Sequence, residues 1–310
     1  MCLTIGSKIS LDSLRLKDET PKTPEAKSDT LTTPAAKTYN DDKINVSQNS
    51  KSRFAQNDNL QEVMQGRTYI TKGMSGEGVK LVQEALKDLG FYPGDKADGK
   101  FGNQTTIAIK NFQDNRGLKQ TGVIDKNTLN ELNKVAPPPN KKIWDKGVIE
   151  GIFEETKDTK IAPSNVVGEN KRAKIVVDLS EHRLFLYNDD NSVKKVYSVA
   201  SGKGGWADGR GNKTKTGTKI INYKMADPTS VANQLWPETK GKAFGTKLLD
   251  LQFIDLKTGK KTLSGEELHG TYTRNSIGTD ASHGCMRMQN EDIEEVFKSV
   301  KQGDLVQIQD

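Results

Sequence analysis

The first regular pattern along the chain is a helical one, between residues 76 and 90. The segment "GEGVKLVQEALKDLG" places Val79, Val82, Leu86 and Leu89 on one apolar stripe and ends at Gly90. A stripe of this period predicts an amphipathic helix with one face in a core. A glycine directly after the last apolar position is typical of a helix C-terminus.

Two shorter segments downstream continue the helical pattern. "DGKFGNQTTIAIKNFQDNRG" predicts a turn and then a helix that buries Ile109 and Phe112. "GVIDKNTLNELNK" predicts a third helix, with Asp125 as its N-cap and Leu129 facing inward. We therefore predict a small all-α domain of three helices over residues 70–136, with a modest core.

The hydrophobic period changes to two from Ala173 onward. Six segments read as strands separated by Asn, Asp and Gly turns: "KIVVDLS", "RLFLYN", "VKKVYSVASG", "TKIINYK", "LLDLQFIDL" and "DLVQIQ". Only "NEDIEEVFKSV" predicts a helix in this part of the chain. Residues 171–310 are therefore predicted to form a mostly-β domain, a β-sandwich or mixed sheets with one late helix.

The remaining segments show neither period. Residues 1–65 are rich in Lys, Thr, Ser, Asp, Asn and Pro, which predicts a disordered tail or tether. The prolines of "VAPPPNKK" favour an extended spacer after the helices. Residues 137–170 are predicted to be a linker or a structured lead-in to the β domain.

Composition narrows the functional classes. The chain is 33% hydrophobic and 28% charged, which is too polar for one continuous core over 310 residues. Its formal charge of +6 comes without a basic stripe interleaved with aromatic residues, so nucleic acid is not an expected partner. A basic chain equally suits an acidic polymer such as a bacterial cell wall.

The sequence has no run of roughly 18 or more apolar residues, so no transmembrane segment is expected. The first residues lack the apolar region of a secretory signal, and the export route is not evident from them. Cys2, before a long polar tail, is also compatible with the acylated first residue of a mature lipoprotein.

The chemistry-bearing residues gather late in the chain, although it has only three histidines and two cysteines. "ELHGTY" contains His269, and "ASHGCMRM" contains His283 and Cys285. A cysteine nucleophile needs a thiolate, which an adjacent imidazole can generate by taking the proton. Gly284 allows a sharp turn that exposes the sulfur and aims backbone N–H groups at an oxyanion. Cysteine acyl transfer is thus one interpretation of this region.

Other interpretations stay open at this point. His269, His283 and Cys285 could supply three ligands of a catalytic zinc, although a His-X-Cys spacing is uncommon and no further ligand motif follows. His283 could instead hold the loop by hydrogen bonds, and Cys285 could be an inert buried residue. The two cysteines lie in unrelated contexts, so Cys285 is expected to be a free thiol.

The pattern "HGTYTRNSIGTDASHGCMRM" resembles the signature of the L,D-transpeptidase (YkuD) catalytic domain. "IVVDLSEHRLFLY" resembles the opening strands of that family, and "DIEEVFKSVKQGDLVQI" its closing helix and strand. "VYSVASGKGG" and "KTGTKII" resemble the family's Gly-Lys followed by Thr-Pro-Thr-Gly, with Lys215 in place of the proline. Residues 224–266 are a long stretch before His269, which suggests a lid or a substrate-side insertion.

The helical segment resembles, separately, the three-helix peptidoglycan-binding domain. "GVKLVQEAL", "DGKFGNQT" and "NFQ" carry the elements of that family in order. From the residues alone, most of these positions are structural, so no glycan-binding residue is assigned. A wall-binding domain and a wall-modifying enzyme on one chain support each other.

The resemblance implies a mechanism with roles for seven residues. Cys285 is implied as the nucleophile and His269 as the general base, oriented by the carbonyl of Gly270. Backbone N–H groups of Gly284 and Cys285, with His283 as a further candidate, are implied as the oxyanion hole. Two residues are implied as substrate contacts, Arg287 for a carboxylate and Ser282 beside the turn. Alternatively, Arg287 forms a structural salt bridge and Ser282 fixes the loop.

The implied reaction is acyl transfer from a peptidoglycan tetrapeptide stem, through a thioester, to an amine acceptor, which gives 3-3 cross-links or attaches a substituent. The alternative is an L,D-carboxypeptidase or D-amino-acid exchange enzyme that trims stems, including as a secreted antibacterial effector. A decayed, purely wall-binding protein is the non-enzymatic hypothesis. The expected location is the bacterial cell envelope, and the chemistry requires no metal or cofactor.

Overall fold

The computed structural model of the chain describes residues 52–136, 162–204 and 213–310. Most of the predicted tail, with Cys2, and most of the predicted 137–170 linker lie outside these ranges. Within the described residues, no helix is long and apolar enough to cross a membrane.

The N-terminal described part, residues 52–136, is helical and is called the helical region below. Its core is formed by aromatic and aliphatic side chains that the helices bury together, including Phe54, Leu86 and Phe112. Its helices are α1 (Asp58–Met64), α2 (Glu77–Asp88), α3 (Asn103–Asn115) and α4 (Lys126–Val135).

Helix α1 corrects the predicted tail, which was drawn to residue 65. Asn57 caps this helix by accepting the N–H of Leu60, and Leu60 and Val63 are fully buried with Phe54. The sequence does not predict this helix, because its few apolar residues are surrounded by polar ones. Their burial extends the folded helical region back to Phe54.

The C-terminal described part, residues 162–310, is called the sheet region. It contains the strands β1 (Val166–Val167), β2 (Lys171–Arg172), β3 (Ile175–Asp178), β4 (Arg183–Tyr187), β5 (Val193–Ser198), β6 (Ser201–Gly202), β7 (Gly217–Met225), β8 (Leu248–Ile254), β9 (Lys261–His269), β10 (Asp280–Ser282), β11 (Met286–Arg287) and β12 (Leu305–Gln309). Its helices are α5 (Thr229–Leu235) and α6 (Asn290–Ser299).

Eight strands form one mixed sheet in the order β11-β9-β8-β7-β12-β3-β4-β5. The β11–β9 and β12–β3 pairs are parallel, and the other pairs are antiparallel. The sheet curls, since Arg287 of edge strand β11 exchanges backbone hydrogen bonds with Ala200, just past the other edge strand. This confirms the predicted multidomain, mostly-β class with mixed sheets.

One face of the sheet carries the larger core of this region. Helix α6 lies on it and buries Ile293 and Val296 against strand residues such as Leu249 and Leu268. The prediction of a single late helix is incomplete, because the stretch between β7 and β8 also contains α5. Strand β9 is a further element that the sequence patterns do not predict.

The helical region docks on the sheet region through polar contacts with buried partners. The guanidinium of Arg183 lies 4.3 Å from the ring centroid of Phe91 and 4.7 Å from that of Phe185. The same group donates a 3.2 Å hydrogen bond to the carbonyl of Leu89. Arg183 is 1% exposed and pairs with Glu181, so a charged side chain sits at the centre of this interface.

The same docking reaches the loop that joins His269 to Cys285. Asn111 donates a 3.0 Å hydrogen bond to the carbonyl of Gly278 in this loop, and Arg274 of the loop pairs with Asp95. Gln289, just after β11, donates to the carbonyl of Pro93 at 2.6 Å. The helical region thereby supports the segment that carries the candidate site.

Candidate active site

Parallel pairing of β11 with β9 brings the two ends of the motif together. Met286 faces Leu268, and Arg287 faces His269. Since side chains alternate along a strand, Cys285 and Arg287 lie on the same face of the sheet as Glu267 and His269. The sulfur and the imidazole, which are fifteen residues apart in sequence, therefore occupy adjacent strands on one face.

The turn before Cys285 forms at Gly284 as the sequence predicted, but it does not expose the sulfur, because Cys285 is 1% exposed. Gly284 adopts φ 128°, in the region that favours glycine over residues with a Cβ. Ser282 accepts the N–H of Gly284 at 3.1 Å and donates to the carbonyl of Cys285. The contacts of Ser282 with Gly284 and Cys285 favour its loop-fixing role over a substrate contact.

Thr214 adds a second constraint on this turn. Its hydroxyl donates to the carbonyl of Gly284 at 2.8 Å and accepts the N–H of Gly202 at 2.7 Å. Both bonds are buried, so the threonine holds the turn against the neighbouring strand β6. Thr214 directly precedes Lys215, and no sequence pattern indicates this contact.

His269 has a defined hydrogen-bond partner on one ring nitrogen. Its Nδ1 lies 2.5 Å from the carbonyl oxygen of the next residue, Gly270. Because a carbonyl only accepts, Nδ1 carries the hydrogen, and Nε2 keeps its lone pair. Burial lowers the pKa of His269 to about 3, with the charge of Arg287 acting in the same direction. The neutral imidazole is thus held with Nε2 as its basic atom.

Gly270 is a glycine for a steric reason. A Cβ at this position would overlap the amide oxygen of Asn290 and lie 3.1 Å from the backbone nitrogen of Thr246. The amide oxygen of Asn290 accepts the N–H groups of Thr246 and Thr271 at 3.3 and 3.1 Å. The carbonyl that orients His269 is therefore fixed by a close backbone approach at the start of α6.

The stretch between β7 and β8 covers the histidine. The ring of Phe244 meets the imidazole of His269 edge-on, with centroids 5.0 Å apart, and Trp236 packs edge-on against Phe244 at 5.3 Å. Phe244 and Leu248 form a small core with Ala232 of α5. This aromatic cover explains why His269 is 3% exposed.

Arg287 is a largely buried cation beside His269. Burial lowers the pKa of its guanidinium, and its Nε has no hydrogen-bond partner among the described residues. Within the same part of the chain, no carboxylate forms an ion pair with it. The structural salt bridge considered from the sequence is therefore not formed among the described residues, where the buried cation has no counter-charge.

Glu267 is the site residue that sequence reasoning missed. It is fully buried on β9, and its Oε2 lies 2.7 Å from Sγ of Cys285. Burial raises the pKa of its carboxyl to about 8, with the charge of nearby Asp250 acting in the same direction. Two adjacent glutamates in "GEELHG" read as exposed, and only the register of β11 on β9 shows that Glu267 faces Cys285.

The bonding state of Cys285 differs from the free thiol that the sequence predicted. Cys285 is disulfide-bonded in this structure and not a free thiol. The bonding state of a cysteine depends on the tertiary structure and not on its local sequence, and this is why the expectation was wrong. Any chemistry at this sulfur requires the reduced form of the chain.

The other predicted residues occupy less defined positions. His283 is half-buried within the turn. The three residues of the zinc hypothesis are not gathered as a ligand set, since the described residues contain no group of three or more His, Cys, Asp or Glu side chains arranged to hold a metal ion.

Lys215, the departure from the family-like Thr-Pro-Thr-Gly, has a structural partner. Its backbone N–H donates a 2.7 Å hydrogen bond to the carboxylate of Glu266, which also pairs with the buried Lys219. Proline has no N–H and could not make this bond. The substitution is therefore matched by a buried acceptor on β9.

Comparisons with known proteins agree with this architecture. Residues 172–308 match the model of the YkuD family, described as the L,D-transpeptidase catalytic domain. Residues 75–132 match a family described as a putative peptidoglycan binding domain. Both resemblances stated from the sequence are confirmed.

Individual relatives match parts of the chain. A putative L,D-transpeptidase, YqjB of Bacillus subtilis, is 28% identical over 121 residues, covering 39% of this chain and 62% of the relative. A spore cortex-lytic enzyme of Bacillus cereus is 45% identical over 65 residues, covering 21% of this chain and 25% of the relative. The match thus spans about three fifths of the length of the first relative and about a quarter of the length of the second.

Among solved structures, the L,D-transpeptidase (residues 123–326) from Xylanimonas cellulosilytica is 22% identical with a TM-score of 0.46. That match covers 78% of this chain and 97% of the other.

Proposed function

We propose that this protein is a peptidoglycan acyltransferase with Cys285 as its nucleophile, because residues 172–308 match the model of the L,D-transpeptidase catalytic domain family. The substrate is a tetrapeptide stem, and the acceptor is an amine of a neighbouring stem. The product is a 3-3 cross-link or an attached substituent. The protein acts in the bacterial cell envelope.

The first step is attack by reduced Cys285. Nε2 of neutral His269 takes the thiol proton, and Sγ bonds to the carbonyl carbon that precedes the terminal D-alanine. The carbonyl oxygen becomes an oxyanion, which the backbone N–H groups of Gly284 and Cys285 stabilise. The φ of 128° at Gly284 permits the tight turn at Cys285, and the N–H of Gly284 would have to leave Ser282 to reach the oxyanion.

The second step is loss of the terminal residue. The C–N bond breaks, and the leaving amine takes the proton from the imidazolium of His269. The acceptor amine then attacks the thioester and gives its proton to His269, which returns it to Sγ as the thiolate leaves. The hydrogen bond from Nδ1 to the Gly270 carbonyl supports this cycle, because it keeps the ring oriented while Nε2 gains and loses the proton.

Arg287 is proposed to bind the carboxylate of the terminal D-alanine. Its buried guanidinium has no carboxylate partner among the described residues, and a substrate carboxylate would supply the missing counter-charge. Its register opposite His269 supports this role, because a carboxylate bound there would lie beside the proposed general base. The hydrogen bonds of Ser282 within the turn support a positioning role for that residue.

The helical region is proposed to hold the enzyme on its polymer. Residues 75–132 match a peptidoglycan-binding family, and the region docks on the loop between His269 and Cys285. This arrangement would present stems close to the nucleophile.

The observation that carries the proposal is the placement of a neutral, carbonyl-oriented His269 and the glycine turn of Cys285 on adjacent parallel strands. The test is incubation of the reduced protein with disaccharide-tetrapeptides, with products identified by mass. Cross-linked dimers are expected. Tripeptides without dimers would instead support the trimming or exchange enzyme, and unchanged substrate would support a binding protein.

Two controls sharpen this test. Cys285→Ala must lose the activity, and retained turnover would refute the nucleophile. A metal chelator is expected to leave the rate unchanged, whereas inhibition would favour the zinc hypothesis.

A further inference from the structure

Strand β9 carries two adjacent buried glutamates in opposite situations. Glu266 pairs with Lys219 and accepts the backbone N–H of Lys215. Glu267 is fully buried, its Oε2 lies 2.7 Å from Sγ of Cys285, and its Oε1 has no hydrogen-bond partner in the described part of the chain. One carboxyl is thus balanced by a cation, and the other is directed at the reacting atom without an ion-pair partner among the described residues.

The groups around Glu267 come from four elements. Asp250 of β8 lies opposite it in the strand register, and Asn222 of β7 donates to Asp250 at 2.8 Å. His269 follows it on the same face of β9, and the β11 segment contributes the sulfur of Cys285, with Arg287 opposite His269. The nearest charged neighbour in this register is therefore an acid, not a base.

This environment favours the protonated carboxyl. Removal from water penalises the charged form of a carboxylate, and a second acid nearby adds to the penalty. Both causes act on Glu267 and raise its pKa to about 8, so the group is mostly neutral at pH 7.

We propose that Glu267 is a further catalytic residue, which stays protonated through the reaction and donates a hydrogen bond to the thiolate of Cys285. This inference rests on the proposed function, since it concerns the same nucleophile. His269 takes the thiol proton, whereas Glu267 keeps its own, so no proton is gained or lost by the pair beyond that transfer.

The protonation state of Glu267 decides whether its carboxyl stabilises or destabilises the thiolate of Cys285. A neutral acid at 2.7 Å donates a charge-assisted hydrogen bond to a thiolate. An ionised carboxylate at the same distance repels it and disfavours its formation. The reactivity of Cys285 should therefore bend downward from simple thiol titration once the pH exceeds about 8.

The experiment measures the rate of alkylation of reduced Cys285 by iodoacetamide from pH 6 to pH 10, together with turnover of tetrapeptides. Glu267→Gln keeps a donor that cannot ionise, and Glu267→Leu keeps the size without a donor. Asp250→Asn retains Glu267 but removes the neighbouring acid. Circular dichroism and thermal unfolding verify that each variant folds.

Three results are expected. Glu267→Gln matches the wild type near pH 7 and exceeds it about tenfold or more above pH 9, equivalent to one pKa unit. Glu267→Leu loses about 10- to 100-fold at pH 7, the usual effect of losing a hydrogen bond to a charged group. Asp250→Asn keeps the downward bend and moves it to lower pH, because the repulsion that raises the pKa of Glu267 is gone.

Two results would overturn the inference. If Glu267→Gln is as slow as Glu267→Leu at pH 7, the carboxyl acts as a base and not as a neutral donor. If both variants follow the wild-type profile, Glu267 has no influence on the thiolate. A wild type that shows the expected alkylation profile but turns over no tetrapeptide would support the role of Glu267 and refute the proposed function.

Discussion

Replacing Arg183 with alanine tests whether this buried side chain anchors the helical region on the sheet region. The side chain is 1% exposed, lies between the rings of Phe91 and Phe185, and donates to the carbonyl of Leu89. Its Nε also donates to Glu181 at 2.8 Å. Truncation removes all of these contacts and opens a cavity between the two regions.

The expected loss in the free energy of unfolding follows from the contacts that Arg183 makes. A desolvated cation–π contact contributes about 0.5–2 kcal/mol, and breaking a buried ion pair costs about 3–5 kcal/mol. Glu181 retains some access to water, with a side chain 19% exposed, so its remaining charge is partly solvated. We therefore expect Arg183→Ala to lower the free energy of unfolding by about 3 kcal/mol, near the lower end of that range.

The assay is urea-induced unfolding of the reduced protein, followed by far-UV and near-UV circular dichroism. Arg67→Ala is the matched control, because Arg67 forms an exposed ion pair with Glu62 at 2.6 Å and should cost under about 1 kcal/mol. Equal losses for the two variants would refute the view that Arg183 anchors the docking.

Three further predictions concern the site. Thr214→Val leaves the N–H of Gly202 and the carbonyl of Gly284 unpaired, so kcat should fall about 10-fold or more. Thr214→Ser keeps the hydroxyl and should retain activity. Steady-state kinetics of the two variants measure both effects. Phe244→Ala uncovers His269 and should raise the imidazole pKa, so the acid limb of kcat/KM moves to higher pH, whereas Phe244→Leu should leave that limb near the wild-type position. His269 has a folded-state pKa of about 3 against 6.5 unfolded, so the unfolded chain binds more protons between these values. Stability should therefore fall by about 1.4 kcal/mol per unit as the pH decreases below 6.5, and His269→Gln should remove this component in pH-dependent unfolding.

Much of the fold follows from hydrophobic period alone. The stripe of α2 and the apolar runs of β3, β4 and β12 are buried as their patterns predict. The apolar residues of these elements lie in a core, so the local hydrophobic pattern is enough to predict the elements. The turn at Gly284 is equally predictable from the sequence, because its φ of 128° favours glycine over residues with a Cβ.

Strand β9 shows where local patterns fail. Its sequence, "KTLSGEELH", contains a register shift opposite Leu251 and Gln252 and buries Glu266 and Glu267. Polar residues that are buried against partners distant in sequence look exposed when only neighbours are considered. The contact between Glu267 and Cys285 depends on parallel pairing with β11, which no local period encodes.

The docking of the helical region could not be predicted from the sequence for the same reason. Arg183 begins strand β4, and a charged side chain there reads as solvent-exposed. Its burial depends on Phe91 and Leu89, which lie about ninety residues earlier in the chain. Such contacts require the tertiary structure.

The central claim is that Cys285 forms a thioester with the peptide stem. The most direct measurement is intact-protein mass after reduced protein meets a tetrapeptide without an acceptor amine, followed by mapping of the modified peptide. The account predicts an adduct with the mass of the stem minus its terminal D-alanine, located on Cys285, slowed in His269→Gln and absent in Cys285→Ala. An adduct on another residue, or turnover without any adduct on Cys285 under rapid quenching, would contradict it.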